Sequence, residues 1–183
     1  AERFAIGGSS RDALIHAFNF EFINDTFTGG AQPRISSYFS NSELAMQPGA
    51  ATGSVVELLA PFADSLPPDA LGGYALPLGD GSARNRANLR KATDLFARAG
   101  WTVQNGVLRN AKGAAFSLSI LLKQGDTESQ SIAELYISAL ARLGIQADIE
   151  TVDNAQFTGR TAEFDFDMTS FRRELSLSPG NEQ

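Results

Sequence analysis

The stretch that most restricts the fold of this chain lies between residues 116 and 152, where the hydrophobic period changes from two to helical and back. Phe116, Leu118, Ile120 and Leu122 are apolar on one parity, with Ser117 and Ser119 between them. That is the pattern of a strand with one face better buried than the other. Thr127 followed three residues later by Gln130 fits a capping box, and Ile132, Leu135, Tyr136, Ala139, Leu140 and Leu143 then form one helical stripe. Gly144 stands where a left-handed residue ends a helix, and Ile145 to Val152 returns to an extended, β-branched composition. Strand, helix and strand in so short a span predict a parallel pair joined by a right-handed crossover.

Composition sets the outer limits. A chain of 183 residues with 43% hydrophobic content can bury one real core, so a single lobe over 1–183 is expected. The formal charge of −6 argues against a nucleic-acid partner, and no window approaches the roughly 18 consecutive apolar residues of a membrane span. With no cysteine, thiol catalysis, disulfides and thiolate metal sites are excluded, and one histidine, His16, leaves almost no room for a histidine-based metal site or triad. No metal and no cofactor are expected. No signal peptide is present at Ala1, as in a mature or trimmed product.

Before the crossover, residues 3–6 suit a short strand, and Gly7-Gly8-Ser9-Ser10 has the composition of a flexible linker. An engineered join at 7–10 and a natural glycine-rich turn both fit. A first helix is expected from about Arg11 to Phe27, with Ser10 as N-cap and Gly29-Gly30 after its end; it is apolar over more than half its circumference. From Gly30 to Asp80 the chain is rich in Gly, Ser and Pro, with room for one short helix over Val55–Phe62 begun near Thr52. A loop region of that length in a compact domain points to function. Within it, Arg34, Ser37, Tyr38 and Phe39 put a cation, a hydroxyl and aromatic faces together, as a ligand wall would, with surface packing the alternative.

A helix is expected from Arg84 to Ala99, flanked by Arg84, Arg86, Arg90, Lys91 and Arg98; these read as a basic patch or, more simply, as a solvated face. Asn105-Gly106 is a strong hairpin signal, and a second turn is expected at 110–113. After the crossover, Asp153 and Gln156 repeat the capping spacing ahead of a helix to about Ala162. Phe164, Phe166 and Met168 then alternate with Asp165 and Asp167, predicting a strand with a buried apolar face. The two carboxylates suggest acid-base work or a cation site, and with Glu174 they are the candidates for an enzyme reading of this α/β chain; the simpler reading has them solvated or bonded to N–H groups. The polar segment beyond 171 carries Arg172, Arg173, Glu174, Ser176 and Ser178, and a loop leaving a strand end is where α/β folds commonly bind ligands.

In this order and spacing, five stretches are similar to the C-terminal lobe of the family 5 solute-binding proteins, the oligopeptide and dipeptide receptors of ABC importers. They are Ala13-Leu-Ile-His-Ala-Phe-Asn-Phe-Glu-Phe, Ser36-Ser-Tyr-Phe, Asn88-Leu-Arg-Lys-Ala with Ala99-Gly-Trp, Leu143-Gly-Ile-Gln-Ala-Asp-Ile-Glu-Thr-Val, and Phe164-Asp-Phe-Asp-Met. Tyr38-Phe39 and the closing Ser176-Leu-Ser-Pro-Gly-Asn-Glu-Gln resemble the Yej-type branch. The resemblance implies a lobe of the periplasmic binding protein-like II fold, with a mixed sheet, a βαβ crossover and flanking helices. It also implies a periplasmic receptor that closes on a peptide or peptide-like solute between this lobe and an N-terminal lobe of the same parent, then presents it to a membrane permease. One departure is informative. Receptors of the oligopeptide type hold the ligand's α-amino group with an aspartate in a Trp-containing segment; Ser176 falls close to that position and the tryptophan is absent, leaving Glu174 as a replacement charge or the ligand with a different end group.

Overall fold

The computed structural model describes residues 8–37, 39–40, 42–66 and 70–172. They divide into two compact units, one within residues 8–32 and 77–172 and the other within 33–76. The first unit begins with helices α1 (Gly8–Ala17) and α2 (Phe20–Thr28). The second contributes a short helix, α3 (Ser54–Leu59), which tightens into a 3-10 turn over Ala60–Ser65. The chain then gives α4 (Arg86–Arg98), the strands β1 (Thr102–Gln104) and β2 (Val107–Arg109), β3 (Ser117–Lys123), α5 (Thr127–Arg142), β4 (Gln146–Val152), α6 (Asn154–Ala162) and β5 (Met168–Thr169), all in the first unit.

β3, α5 and β4 form the expected crossover. β3 and β4 pair in parallel with Ile120 opposite Ile149, and β5 joins the other edge of β3 with Met168 opposite Ile120, so the order is β4-β3-β5. The chain leaves β3 to one side and returns across it, which with right-handed crossovers places α5 and α6 on opposite faces of the sheet. Leu118, Ile120 and Leu122 are buried, as are Ala133, Tyr136 and Leu140 of α5. Ala13 and Ala17 lie one turn apart on α1, and with Ala92 of α4 they are fully buried, small side chains that admit close helix packing. Phe116 completes the core, edge-to-face with both Phe96 and Trp101 at ring centroid distances of 5.2 and 4.8 Å. At the Asn105-Gly106 hairpin both residues have positive φ, as a type I′ turn requires. The hairpin is fastened to the crossover by the Leu108 amide, which donates to Gly144 O at 2.8 Å.

Several expectations are corrected. The first helix is two, broken at Phe18-Asn19, where Asn19 leaves helical geometry and its buried amide donates to Ser82 O at 2.8 Å. An all-round apolar stripe does not reveal such a break, because its cause lies 63 residues away. Gly8, Ser9 and Ser10 form the first turn of α1, and Ser10 is buried within it instead of capping it. The residue capping α5 is Asp126, whose carboxylate accepts from the Ser129 amide at 3.0 Å, one position before the predicted Thr127. The strand foreseen from Phe164 is reduced to Met168–Thr169. Phe164 is instead the left-handed residue that ends α6, with φ 54; its amide donates to Thr161 O, and that of Asp165 donates to Arg160 O. The chain is thus still closing a helix where alternation suggested a strand, and Phe164 is 79% exposed. The short strand expected at 3–6 lies outside the described residues.

In the second unit no described side chain is buried. Its loops are held by local bonds: Ala51 N–H to Leu71 O, and a set built on Ser37, Ser40 and Ser42.

Candidate functional site

Because β3, β4 and β5 are parallel, their carboxyl ends lie on one edge of the sheet, and that edge meets the amino end of α5. The turn there is fixed locally: Gln124 N–H donates to Val152 O at 2.8 Å, Gly125 adopts φ 88, and Asp126 caps the helix. The hydrogen bond from the Ser129 amide holds the Asp126 carboxyl below its ordinary range. Asp153 caps α6 in the same way, accepting from the Gln156 amide at 2.9 Å, as its spacing foretold.

Beside this edge lies a cavity of about 300 Å³ lined by Phe18, Ile120, Leu122, Ser129, Ile132, Ala133, Tyr136, Met168, Thr169 and Ser170. Its walls are apolar, with hydroxyls grouped at the strand ends. Ser129 Oγ donates to Ser170 Oγ at 2.9 Å, and Thr169 Oγ1 donates to Leu121 O at 2.8 Å. Tyr136 packs edge-to-face with Phe18 at 5.4 Å and sends its hydroxyl to Leu14 O at 2.9 Å. Burial raises the Tyr136 phenol well above its usual range, so the group is a fixed neutral donor. Just outside, Arg172 reaches Glu128 at 3.4 Å with both side chains largely exposed, and Phe171 is 78% exposed. An apolar slot of this size with a few hydroxyls at its rim suits an aliphatic or aromatic group carried by a more polar molecule.

Of the residues singled out from sequence, Arg172 stands at this edge. Arg34, Ser37 and Phe39 belong to the second unit and are each half-buried. There the Ser37 hydroxyl accepts from the Met46 amide at 3.1 Å, and Phe39 O accepts from the Ser42 hydroxyl at 2.8 Å. Tyr38, Arg173, Glu174, Ser176 and Ser178 lie outside the described residues. The sequence reading did not single out Ser129, Thr169, Ser170 or Phe18; the available signal was a hydroxyl-bearing residue in the first turn of a helix and two more ending the strand beside it.

The carboxylates considered for an enzyme have structural partners. Asp167 accepts from the Ser119 amide at 3.0 Å, and Asp165 pairs with Arg160 at 3.1 Å, with Glu150 on the same guanidinium. Glu174 is outside the described residues. Among the described residues no group of three or more potential ligands is placed to hold a metal ion.

Superposition on solved structures gives this α/β lobe the periplasmic binding protein type II fold. An oligopeptide-binding protein, AppA, from Bacillus subtilis, solved with a nonapeptide, superposes with a TM-score of 0.62 at 23% identity over 93% of this chain and 29% of that one. A periplasmic binding protein MelB from Agrobacterium fabrum, solved with stachyose, gives 0.55 at 19% identity over 93% of this chain and 22% of that one. Residues 9–180 match the family described as "Bacterial extracellular solute-binding proteins, family 5 Middle", and the chain belongs to it. "Probable peptide-binding protein YejA" of Agrobacterium fabrum is 38% identical over 175 residues, 94% of this chain and 28% of that protein. "Peptidoglycan-binding protein YepA" of the same organism is 34% identical over 174 residues, with the same coverage. The chain thus spans little more than a quarter of the length of these relatives.

Proposed function

We propose that this chain contributes one lobe to the solute-binding component of an ABC importer, in which the carboxyl edge of the β4-β3-β5 sheet forms a wall of the binding cleft. The family match across residues 9–180 carries this reading, supported by the apolar, hydroxyl-rimmed cavity at the edge where α/β folds bind ligands. The solute is a peptide or a peptide-like molecule, including cell-wall-derived peptides, in keeping with the names of the relatives. Arg34, Ser37, Tyr38, Phe39, Arg172, Arg173, Glu174, Ser176 and Ser178 are proposed to face the ligand or its second wall. The remainder of the parent supplies the N-terminal lobe, the setting is the periplasm, and a membrane permease receives the solute. No helix among the described residues is long and apolar enough to cross a membrane. Binding rather than catalysis is the activity in the relatives' names.

Native mass spectrometry of the full-length parent tests the reading directly. A co-purified peptide or peptide-like molecule is expected, and a parent that carries none and binds none from a peptide library would overturn it. Titration with free and N-acetylated forms of one peptide then tests the end group, since equal affinities exclude recognition of the amine by Glu174.

A further inference from the structure

A second concave surface lies on the first unit, away from the strand ends, in the angle between α4 and the end of α5. It is a groove of about 720 Å³ lined by Arg84, Arg86, Leu89, Arg90, Thr93, Arg142 and Leu143. Four of the seven lining residues are arginines and none is acidic, although the chain has 21 acidic residues against 15 basic ones. Arg86, Arg90 and Thr93 follow one another at helical spacing on one face of α4. Arg142 reaches across from α5, its guanidinium donating to Ala83 O and Arg84 O at 3.3 Å each.

The electrostatics of this groove conflict with its own fold. Arg86 opens α4, whose first turn has no acidic residue and whose N-cap, Asn85, makes no side-chain capping bond. The positive end of the helix dipole and two flanking arginines therefore add where their signs oppose stability. Arg86 and Arg90 are like charges one turn apart, which also destabilises a helix. Asp94, one turn beyond Arg90, makes no ion pair with it, and among the described residues no carboxylate lies within ion-pair distance of any of the four arginines. Asn85 is unavailable as a cap because its buried amide points back to His16 O. α5 and α6 of this unit are capped by the carboxylates of Asp126 and Asp153, whereas α4 opens on a cluster of like charges in a concave site, which calls for an external partner.

The geometry points to a binding groove for a phosphate-bearing anion. Guanidinium forks match phosphate oxygens bidentately, and the positive end of the α4 dipole favours the same charge. The floor of Leu89 and Leu143 and the volume leave room for more than a bare phosphate. The partner is therefore a phosphorylated molecule or a phospholipid headgroup, taken at a surface separate from the strand-end cavity.

The test uses inorganic pyrophosphate by calorimetry, and flotation with vesicles of phosphatidylcholine alone or mixed with phosphatidylglycerol. The full-length parent is compared with Arg86→Glu/Arg90→Glu, with the milder Arg86→Gln/Arg90→Gln, and with Arg98→Glu on the same helix outside the groove. Far-UV circular dichroism confirms that each is folded. Pyrophosphate binding that weakens by roughly tenfold or more in both double variants, falls with added salt and survives Arg98→Glu is the expected result. Flotation only with phosphatidylglycerol, lost in the same variants, would identify the headgroup as the source. Binding of neither probe, or binding equally strong in the double variants, overturns the proposal.

Discussion

Gly144 and Phe164 occupy the same place in two helix endings, and the contrast shows what one residue decides. In each, the left-handed residue donates to the carbonyl three residues back, and the next residue donates to the carbonyl five back. Gly144 has φ 77, and a Cβ there would stand 2.8 Å from Leu108 N and 2.9 Å from Gly106 O. Both conformation and space demand glycine. Gly144→Ala is expected to cost about 2–3 kcal/mol in urea unfolding, more than the roughly 1–2 kcal/mol of left-handed strain alone. Phe164 adopts φ 54 with its ring 79% exposed, so Phe164→Gly removes strain with little lost burial and should stabilise by about 1 kcal/mol. Tyr136 gives a prediction in pH. Its folded pKa is raised, so its contribution is complete below the unfolded value near 10 and is lost as pH rises from there toward the folded value. Stability should fall above about pH 10 by up to about 1.4 kcal/mol per unit. Tyr136→Phe should flatten that slope while costing about 1 kcal/mol at neutral pH for the lost bond to Leu14 O.

At the scale of elements, the sequence was most legible where local chemistry and tertiary packing demand the same thing. α5 has a cap, a stripe and a glycine stop, and β3 and β4 alternate beside it, so their register follows from which side chains must be buried. The cap itself makes a prediction. Asp126→Ala should destabilise by about 1 kcal/mol while Asp126→Asn, which keeps an acceptor, should cost a few tenths. Because the Asp126 pKa is lowered on folding, chiefly by the Ser129 amide, its contribution is present above the unfolded pKa of about 4 and is lost as pH falls through the folded value. The difference between wild type and Asp126→Ala should therefore shrink in acid, as chemical unfolding at pH 7 and pH 2–3 would show. The elements misread were those whose cause is distant or nonlocal in type. Asn19 breaks a helix because of Ser82, and the run Phe164-Asp-Phe-Asp-Met satisfies a strand period while its first two residues still close α6. Alternation records side-chain polarity, not backbone hydrogen bonding, and only the latter separates these cases.

Across the whole molecule, burial is divided unequally, and this explains why the fold was more legible than the site. Every buried side chain among the described residues belongs to the first unit, where periodicity reports it. The second unit is held by serine hydroxyls and turn amides such as Ser37, Ser40 and Ser42, whose bonds leave no period in the sequence. Ser129, Thr169 and Ser170 escaped notice for the same reason: their grouping follows from parallel strands ending on one edge, a property of topology. The same division predicts amide exchange. Leu118 to Leu122 on β3, paired with β4 throughout and with β5 at Ile120 and Leu121, and covered by α5, should exchange only through global opening. The described amides of 33–66, with no buried side chains to restrain local opening, should exchange far faster. Hydrogen exchange read by mass spectrometry should give two well separated populations whose boundaries fall near residues 32 and 77. A single slow population across both segments would mean that the second unit shares the stability of the first, and that its exposed Leu58 and Phe62 are covered in solution.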